Sequence, residues 1–222
     1  MKKLFRTLVV SFQILLILLF LPGWTAGFNF RATSGYVTDG TNETWINGDV
    51  DAYPTSKTVD SATFNVGWTG INHDSQRDRD SGVDRRLAGV NQTPNDGTQG
   101  EFRVDMPTSG SKIVCIALGD ATIDQAYEYA QVKDNTTTLF TVDKSAGVTA
   151  PQFWDANGNV WSAAAWPGSQ VCQTVTFATT TFKLLLGTPT AQSGSSGIAH
   201  ISITDVTAGS EDSVLILNMA GG

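Results

Sequence analysis

The residues best suited to chemistry lie in a tryptophan-rich segment at residues 153–166. Three indoles stand there with polar neighbours: Trp154, Asp155, Asn157, Trp161 and Trp166. Indole faces stack against the apolar C–H surfaces of sugars, while amides and carboxylates bond sugar hydroxyls. Soluble proteins usually reserve an exposed apolar patch of this kind for a partner. We therefore predict that these residues form an exposed carbohydrate-binding surface; packing of loop hydrophobic residues is the alternative.

A second polar segment, residues 71–90, is the most charged part of the chain. Arginines and aspartates interleave in it: Arg77, Asp78, Arg79, Asp80, Asp84, Arg85 and Arg86. Because arginine is a bidentate donor to carboxylates and hydroxyls, Arg77 and Arg79 are predicted to contribute to carbohydrate binding. The alternative is an internal ion-pair network that pins a long loop, in which each pair adds little net stability.

Catalytic motifs are hard to find. The only histidines are His73 and His200, too few for a His-rich metal site. No Gly-x-Ser-x-Gly elbow occurs, and the run Gly119-Asp120-Ala121-Thr122 lacks the serine of a lipase-like nucleophile. His200 lies in an alternating run and is interpreted as a sheet histidine. Aspartates are abundant, but no pattern selects a pair for glycoside cleavage. We therefore predict no catalytic site.

The run Asp155-Ala156-Asn157-Gly158-Asn159 resembles a fragment of a calcium loop, with alternating oxygen ligands and a glycine. It lacks the late bidentate glutamate, and Asn-Gly is equally typical of a hairpin turn. We predict no cofactor, with a structural calcium ion as the alternative. Three glycosylation sequons begin at Asn42, Asn91 and Asn135, and they matter only in a host with that machinery.

The N-terminus has the pattern of a secretory signal peptide. Lys2, Lys3 and Arg6 precede an apolar run over residues 8–21, which Pro22-Gly23 ends before the small residues of 25–27. We expect residues 1–27 to be removed and residues 28–222 to form a single secreted or cell-surface domain. Membrane contact is then limited to this segment. A retained anchor is the alternative, although the apolar run is short for a full span.

Export places the two cysteines, Cys115 and Cys172, in an oxidising compartment. Both lie in strand-like runs, so we predict a disulfide bond between them; two buried free thiols are the alternative. The formal charge is −7, from 14 Lys+Arg against 21 Asp+Glu. An acidic chain repels phosphate backbones, which argues against a nucleic-acid partner.

Hydrophobic periodicity predicts the elements that carry these residues. Phe102, Val104 and Met106 alternate with charged residues, and after a turn at residues 107–110 the run Ile113–Leu118 is apolar on both faces. We predict a central hairpin here, with the first set and Ile113, Cys115, Ile116 and Leu118 largely buried. Further strand pairs are predicted at residues 127–132 with 137–142, 153–154 with 160–161, and 171–177 with 181–186. Short strands separated by turns predict an all-β protein, an antiparallel β-sandwich of the jelly-roll type.

Several of these runs, taken in order, carry a family resemblance: residues 28–30, the Arg/Asp-rich segment before Gly89, then 101–107, 116–120, 175–187 and 198–203. Together they resemble the galactose-binding-like, malectin-like β-sandwich domains appended to rhamnogalacturonan acetylesterases and lyases. The resemblance implies a carbohydrate-binding module with a polysaccharide partner and no catalytic site of its own, and such domains often hold a structural calcium. The alternative is a structural or adhesive surface subunit that self-assembles through the same sandwich.

Overall fold

The computed structural model describes residues 23–31, 42–48, 51–70, 75–79, 84–122, 127–145, 152–166 and 171–206. Within these ranges the regular structure consists of β-strands and one 3-10 turn at Arg85–Leu87, and no helix there is long and apolar enough to cross a membrane. The strands are β1 (Thr25–Arg31), β2 (Glu43–Asn47), β3 (Thr55–Val59), β4 (Ala62–Trp68), β5 (Ser75–Asp78), β6 (Gly89–Asp96), β7 (Gly100–Asp105), β8 (Gly110–Asp120), β9 (Tyr127–Asp134), β10 (Thr137–Ser145), β11 (Gln152–Trp154), β12 (Val160–Ser162), β13 (Gln173–Phe177), β14 (Thr181–Leu186) and β15 (Ala191–Asp205).

Two sheets form the sandwich. Sheet A runs β12-β11-β8-β15-β1-β2, with β13 beside β8, β6 beside β15 and β5 beside β6. Sheet B runs β10-β9-β14-β7-β4-β3. The strand pairs within the described ranges are antiparallel except β1 with β2, which is parallel. The β-sandwich predicted from the sequence is confirmed, with this parallel edge as an addition.

The main core lies between the sheets and follows the predicted alternation. Phe102 of β7 packs edge-on against Phe28 and Phe30 of β1, with ring centroids 6.1 and 4.9 Å apart. Of the residues predicted to be buried, five are: Phe102, Val104, Met106, Ile116 and Leu118. Ile113 and Cys115 are only half-buried, because they alternate onto the outer face of sheet A, which is uncovered at that end of β8.

The predicted central hairpin is wrong, because β7 and β8 belong to different sheets. β7 pairs with β4 and β14 in sheet B, whereas β8 pairs with β15, β11 and β13 in sheet A. The connection at residues 106–109 spans the roughly 10 Å between packed sheets. The predicted pairing of 171–177 with 181–186 fails for the same reason, since β13 lies in sheet A and β14 in sheet B.

Two predicted hairpins are confirmed. β9 and β10 turn at Asn135, which has a φ of 50°, and β11 and β12 turn at Gly158, which has a φ of 74°. Asparagine and glycine tolerate this left-handed region better than other residues, so the turn signals read from the sequence have a steric cause.

The predicted disulfide is also confirmed. Cys115 and Cys172 are bonded, with their Cα atoms 4.5 Å apart. Gln173 of β13 pairs with Val114 of β8, so the cysteines occupy the next opposed positions of the same ladder. The bond therefore fastens the segment before β13 to the middle of β8.

A second, smaller core covers part of the outer face of sheet A. It is built from small residues of the sheet and larger ones from the segments folded over them: Leu87, Ala117, Ala121, Phe153, Ala163, Trp166 and Ala199. Trp161 packs against its margin. Alanines in β8 and β15 leave space for the aromatic rings, so this core depends on chain segments distant in sequence.

β1 begins before the domain boundary that the sequence predicts. Thr25, Ala26 and Gly27 pair with Thr204, Ile203 and Ser202 of β15 (the last strand described), and Trp24 lies in the main core. The boundary expected at residue 27 therefore falls inside a strand. Most of the predicted leader, residues 1–22, lies outside the described residues.

Candidate functional site

The β11–β12 hairpin is organised by the buried carboxylate of Asp155. Its Oδ1 accepts hydrogen bonds from the backbone N–H groups of Asn157 and Asn159, at 2.9 and 3.0 Å. Its Oδ2 accepts from Asn159 Nδ2 at 3.1 Å, Trp161 Nε1 at 2.9 Å and Val171 N at 2.9 Å. One side chain thus fixes the turn, orients an indole and ties the hairpin to the segment that enters β13.

These bonds also set the charge state of Asp155. Burial disfavours the ionised form and by itself raises the pKa, but the hydrogen bonds from Trp161, Val171 and Asn159 outweigh it and bring the pKa below its ordinary value. Both oxygens face N–H donors, which would be repelled by a cation at the same position. The run Asp155–Asn159 is therefore a hydrogen-bonded turn. Both carboxylate oxygens of Asp155 are used by N–H donors, so the run does not supply the ligands that a calcium loop needs.

Two of the three predicted tryptophans are not exposed. Trp154 is 3% exposed and belongs to the main core, and Trp166 is 4% exposed and belongs to the smaller core beside Phe153. The expectation of a patch of three exposed indoles is wrong. The Trp154 side chain points from β11 into the core between the sheets, and the turn after β12 packs Trp166 against the outer face of sheet A. The packing alternative describes both residues.

Trp161 is different, since its ring is half-buried and its N–H is held by Asp155. The exposed large hydrophobic residues of the described chain lie before and after Trp161 in the sequence: Val160, which is 46% exposed, and Val171, which is 39% exposed. Asn157 and Asn159 are exposed in the turn, and Gln173 Nε2 donates to Asn157 Oδ1. We call Asn157, Asn159, Trp161 and Val171 the hairpin surface, because N–H groups of all four bond to Asp155. Val160 is left out, since it pairs with Trp154 and so points to the opposite face of β12.

The arginines predicted to join this surface do not lie on it. Arg79 makes a bidentate ion pair with buried Asp120, with Nε–Oδ1 at 2.9 Å and Nη2–Oδ2 at 2.5 Å. Arg77 is exposed in β5, and four strands of sheet A, β6, β15, β8 and β11, separate β5 from β12. For Arg79 the ion-pair alternative is the correct one.

The ion-pair interpretation also holds for the next part of the charged segment. Asp84 accepts from Arg86 Nε at 2.9 Å and Nη2 at 2.7 Å beside the 3-10 turn. Burial by itself raises the pKa of Asp84. The hydrogen bonds from Arg86 outweigh this effect, so the pKa of Asp84 is below its ordinary value. Residue 73 and residues 80–83 lie outside the described ranges.

The sequons differ in access. Asn135 is exposed at the β9–β10 turn and Asn42 is half-buried before β2. Asn91 is fully buried in β6, where a glycan on its side-chain amide has no room. The expectation of glycosylation at Asn91 is therefore wrong for the folded chain.

A buried polar cluster around His200 has no signal in the sequence. His200 Nε2 lies 3.1 Å from Glu43 Oε2, and Asn29 Nδ2 donates to the same oxygen at 2.9 Å. Strand register explains the meeting, since Asn29 pairs with His200 across β1 and β15. Glu43 is 157 residues from His200 in sequence, so no local pattern signals the contact. His200 is indeed a sheet histidine with a partner.

Comparisons with known proteins do not assign the chain to a family. No protein-family model and no curated protein matches it. The C-terminal CBM6 of LamC, a marine laminarinase from Zobellia galactanivorans, has 17% identity and a TM-score of 0.31, covering 60% of this chain and 93% of that one. The family 32 CBM from C. perfringens NanJ, in complex with galactose, has 13% identity and a TM-score of 0.28, covering 64% and 93%. At these values neither similarity assigns a ligand to this chain.

Proposed function

We propose that this chain is an exported carbohydrate-binding module that binds glycan on the hairpin surface and does not itself cleave it. The observation that carries the proposal is Trp161: a half-exposed indole whose orientation is fixed by a 2.9 Å bond to a buried carboxylate. Exposed Asn157, Asn159 and Val171 bond to the same carboxylate through their backbone N–H groups. A sugar ring presents the matching surface, with apolar C–H faces rimmed by hydroxyls.

Fixing the indole in advance favours binding. A free surface side chain loses rotamer freedom when a ligand immobilises it, at a cost of about 0.5–1.5 kcal/mol. Trp161 has already met that cost in the folded chain, through Asp155 and through contact with the smaller core. Asn157 Oδ1 and Asn159 Nδ2 are bonded within the chain, which leaves Asn157 Nδ2 as a donor and Asn159 Oδ1 as an acceptor for sugar hydroxyls.

The buried histidine and the disulfide bond support the other two parts of the proposal, the absence of cleavage and export. His200, the described histidine, is buried against Glu43 in β15, and strands β8 and β11 separate it from β12, which supports binding without catalysis. The Cys115–Cys172 bond is typical of proteins in oxidising compartments, which include the extracellular space where polysaccharides occur. Export and binding are thus consistent with one extracellular role.

The test uses a panel of neutral and acidic polysaccharides in affinity electrophoresis, followed by calorimetry on any positive, with and without calcium. Trp161→Ala should weaken binding tenfold or more, since a stacked aromatic contributes on the order of 1–3 kcal/mol. Trp161→Phe is the matched control. It loses the same N–H bond to Asp155 but keeps an aromatic face, so its affinity should fall between those of the parent and Trp161→Ala.

Trp45→Ala is a second control, because Trp45 is also half-buried but has the Lys57 ammonium 4.2 Å from its ring centroid. It should bind like the parent chain. Equal binding by the Trp161→Ala variant, or no binding by the parent to any member of the panel, would refute the proposal.

A further inference from the structure

We infer that Trp24, Thr25, Ala26 and Gly27 remain part of the mature folded domain, so that no processing cut is made between Trp24 and Phe28. This reverses the position that the run of small residues suggests.

Trp24 is a core residue, 8% exposed. Its ring packs edge-on against Phe64 with centroids 5.1 Å apart, and its Nε1 donates to Thr108 Oγ1 at 3.2 Å. Its carbonyl oxygen accepts the backbone N–H of Asp205 at 2.8 Å. The residue therefore joins both sheets and the connection between β7 and β8, which a leader residue discarded after export has no reason to do.

Trp24 also covers a buried charge. Lys112 is fully buried, and its ammonium donates to Asp205 Oδ1 at 2.6 Å and to Ser109 O at 2.7 Å. The Trp24 ring centroid lies 5.6 Å from that ammonium. Removing the indole opens the buried ion pair to water on the side where the ring now packs.

The strand that follows needs the same residues. Thr25, Ala26 and Gly27 supply three of the register pairs that join β1 to β15, and Gly27 N donates to Asn42 O at 2.8 Å. A cut after Gly27 would place a charged α-amino group on Phe28, which is 0% exposed and paired with Ile201. An ammonium at that position would lie within the sheet, between β15 and β2, where partial burial of a charge is unfavourable.

The small side chains have a packing explanation instead of a processing one. Ala26 is fully buried in the main core. A Cβ atom on Gly27 would lie 2.1 Å from Glu43 Oε2, so glycine lets the carboxylate stay where it bonds to Asn29 and His200. The feature that resembles a peptidase site in the sequence is a requirement of the sheet.

The direct test is to express the full 222-residue chain in an exporting host and to determine the N-terminus of the folded product by Edman degradation and intact mass. We expect the first residue to be Trp24 or one before it, including the uncut chain. A folded product that begins anywhere from Thr25 to Phe28 would overturn the inference.

A stability comparison gives an independent readout. A chain that begins at Phe28 should melt roughly 10 °C or more below one that begins at Gly23, or fail to fold. Trp24→Ala in the full chain is the milder variant and should also lower the melting temperature, whereas Trp24→Phe should restore part of it. Equal melting temperatures for the chains beginning at Gly23 and Phe28 would contradict the inference.

Discussion

Replacing Asp155 by asparagine tests the centre of the hairpin with a change of one atom type. The carboxylate accepts two backbone N–H bonds on Oδ1 and three N–H bonds on Oδ2. Asparagine has a single oxygen, so its best orientation keeps the three donors on that oxygen. The N–H groups of Asn157 and Asn159 then face an NH2 group and lose their acceptor.

The magnitude follows from those two bonds. A hydrogen bond to a charged group contributes about 1.5–3 kcal/mol, and leaving a buried donor unpaired costs a comparable amount. With some relaxation at the exposed turn, Asp155→Asn should lose about 3–5 kcal/mol of unfolding free energy. For a domain of this size that corresponds to a melting temperature roughly 10–15 °C lower.

The pH dependence gives a sharper signature than the loss alone. Because the pKa of Asp155 is depressed in the folded chain, its contribution is complete above the unfolded pKa of about 3.9 and is lost as the pH falls through the folded pKa. Asparagine does not titrate. The stability difference between parent and variant should therefore be constant from neutral pH to about pH 5 and shrink below about pH 4.

The assay is urea denaturation at a series of pH values, followed by near-ultraviolet circular dichroism, which reports on the packed tryptophans. Asp143→Asn, at an exposed position of β10, is the control and should change stability by no more than about 0.5 kcal/mol. A difference between parent and Asp155→Asn that stays constant down to pH 2.5 would refute the role assigned to the carboxylate charge. A negligible difference at pH 7 would refute the whole hydrogen-bond assignment.

Three further predictions concern the main core and the cross-link. Trp154→Ala removes an indole from the main core and should cost about 3–5 kcal/mol in denaturant unfolding, far more than a surface substitution; an unchanged unfolding midpoint would place this ring outside the core. Replacing Cys115 and Cys172 together by alanine should cost on the order of 3–4 kcal/mol, since their separation of 57 residues closes a long loop. Thiol titration of the unfolded, unreduced parent should read near zero, and two reactive thiols would contradict the bond.

Local pattern predicts this fold well wherever one strand face meets the core. The alternation of Phe102, Val104 and Met106 identified β7 and its buried face, and the Asn-Gly turn located the β11–β12 hairpin. The cysteine pair could be predicted from composition and compartment. These features depend on residues a few positions apart, or on chemistry that is independent of register.

The candidate site could be predicted only in part, because its burial depends on contacts between distant segments. Trp154 and Trp166 have the same kind of sequence neighbours as Trp161. Nevertheless both are buried, Trp154 on the inner face of sheet A and Trp166 on its outer face. Arg79 is paired by Asp120, 41 residues away, and nothing near Arg79 signals that partner. Sheet assignment fails similarly, since a short turn joins strands equally well within one sheet or between two.

The position of β15 has a consequence for how the chain folds. This strand pairs with β1, β6 and β8, and Thr25 meets a threonine 179 residues further along. The strands β1, β6 and β8 therefore lack β15, the partner that all three share, until almost all of the described chain has been synthesised. Contacts so distant in sequence slow folding and leave apolar strand faces open to aggregation meanwhile. The Cys115–Cys172 bond needs only β8 and the start of β13, so oxidation can join those two segments before the final strand arrives.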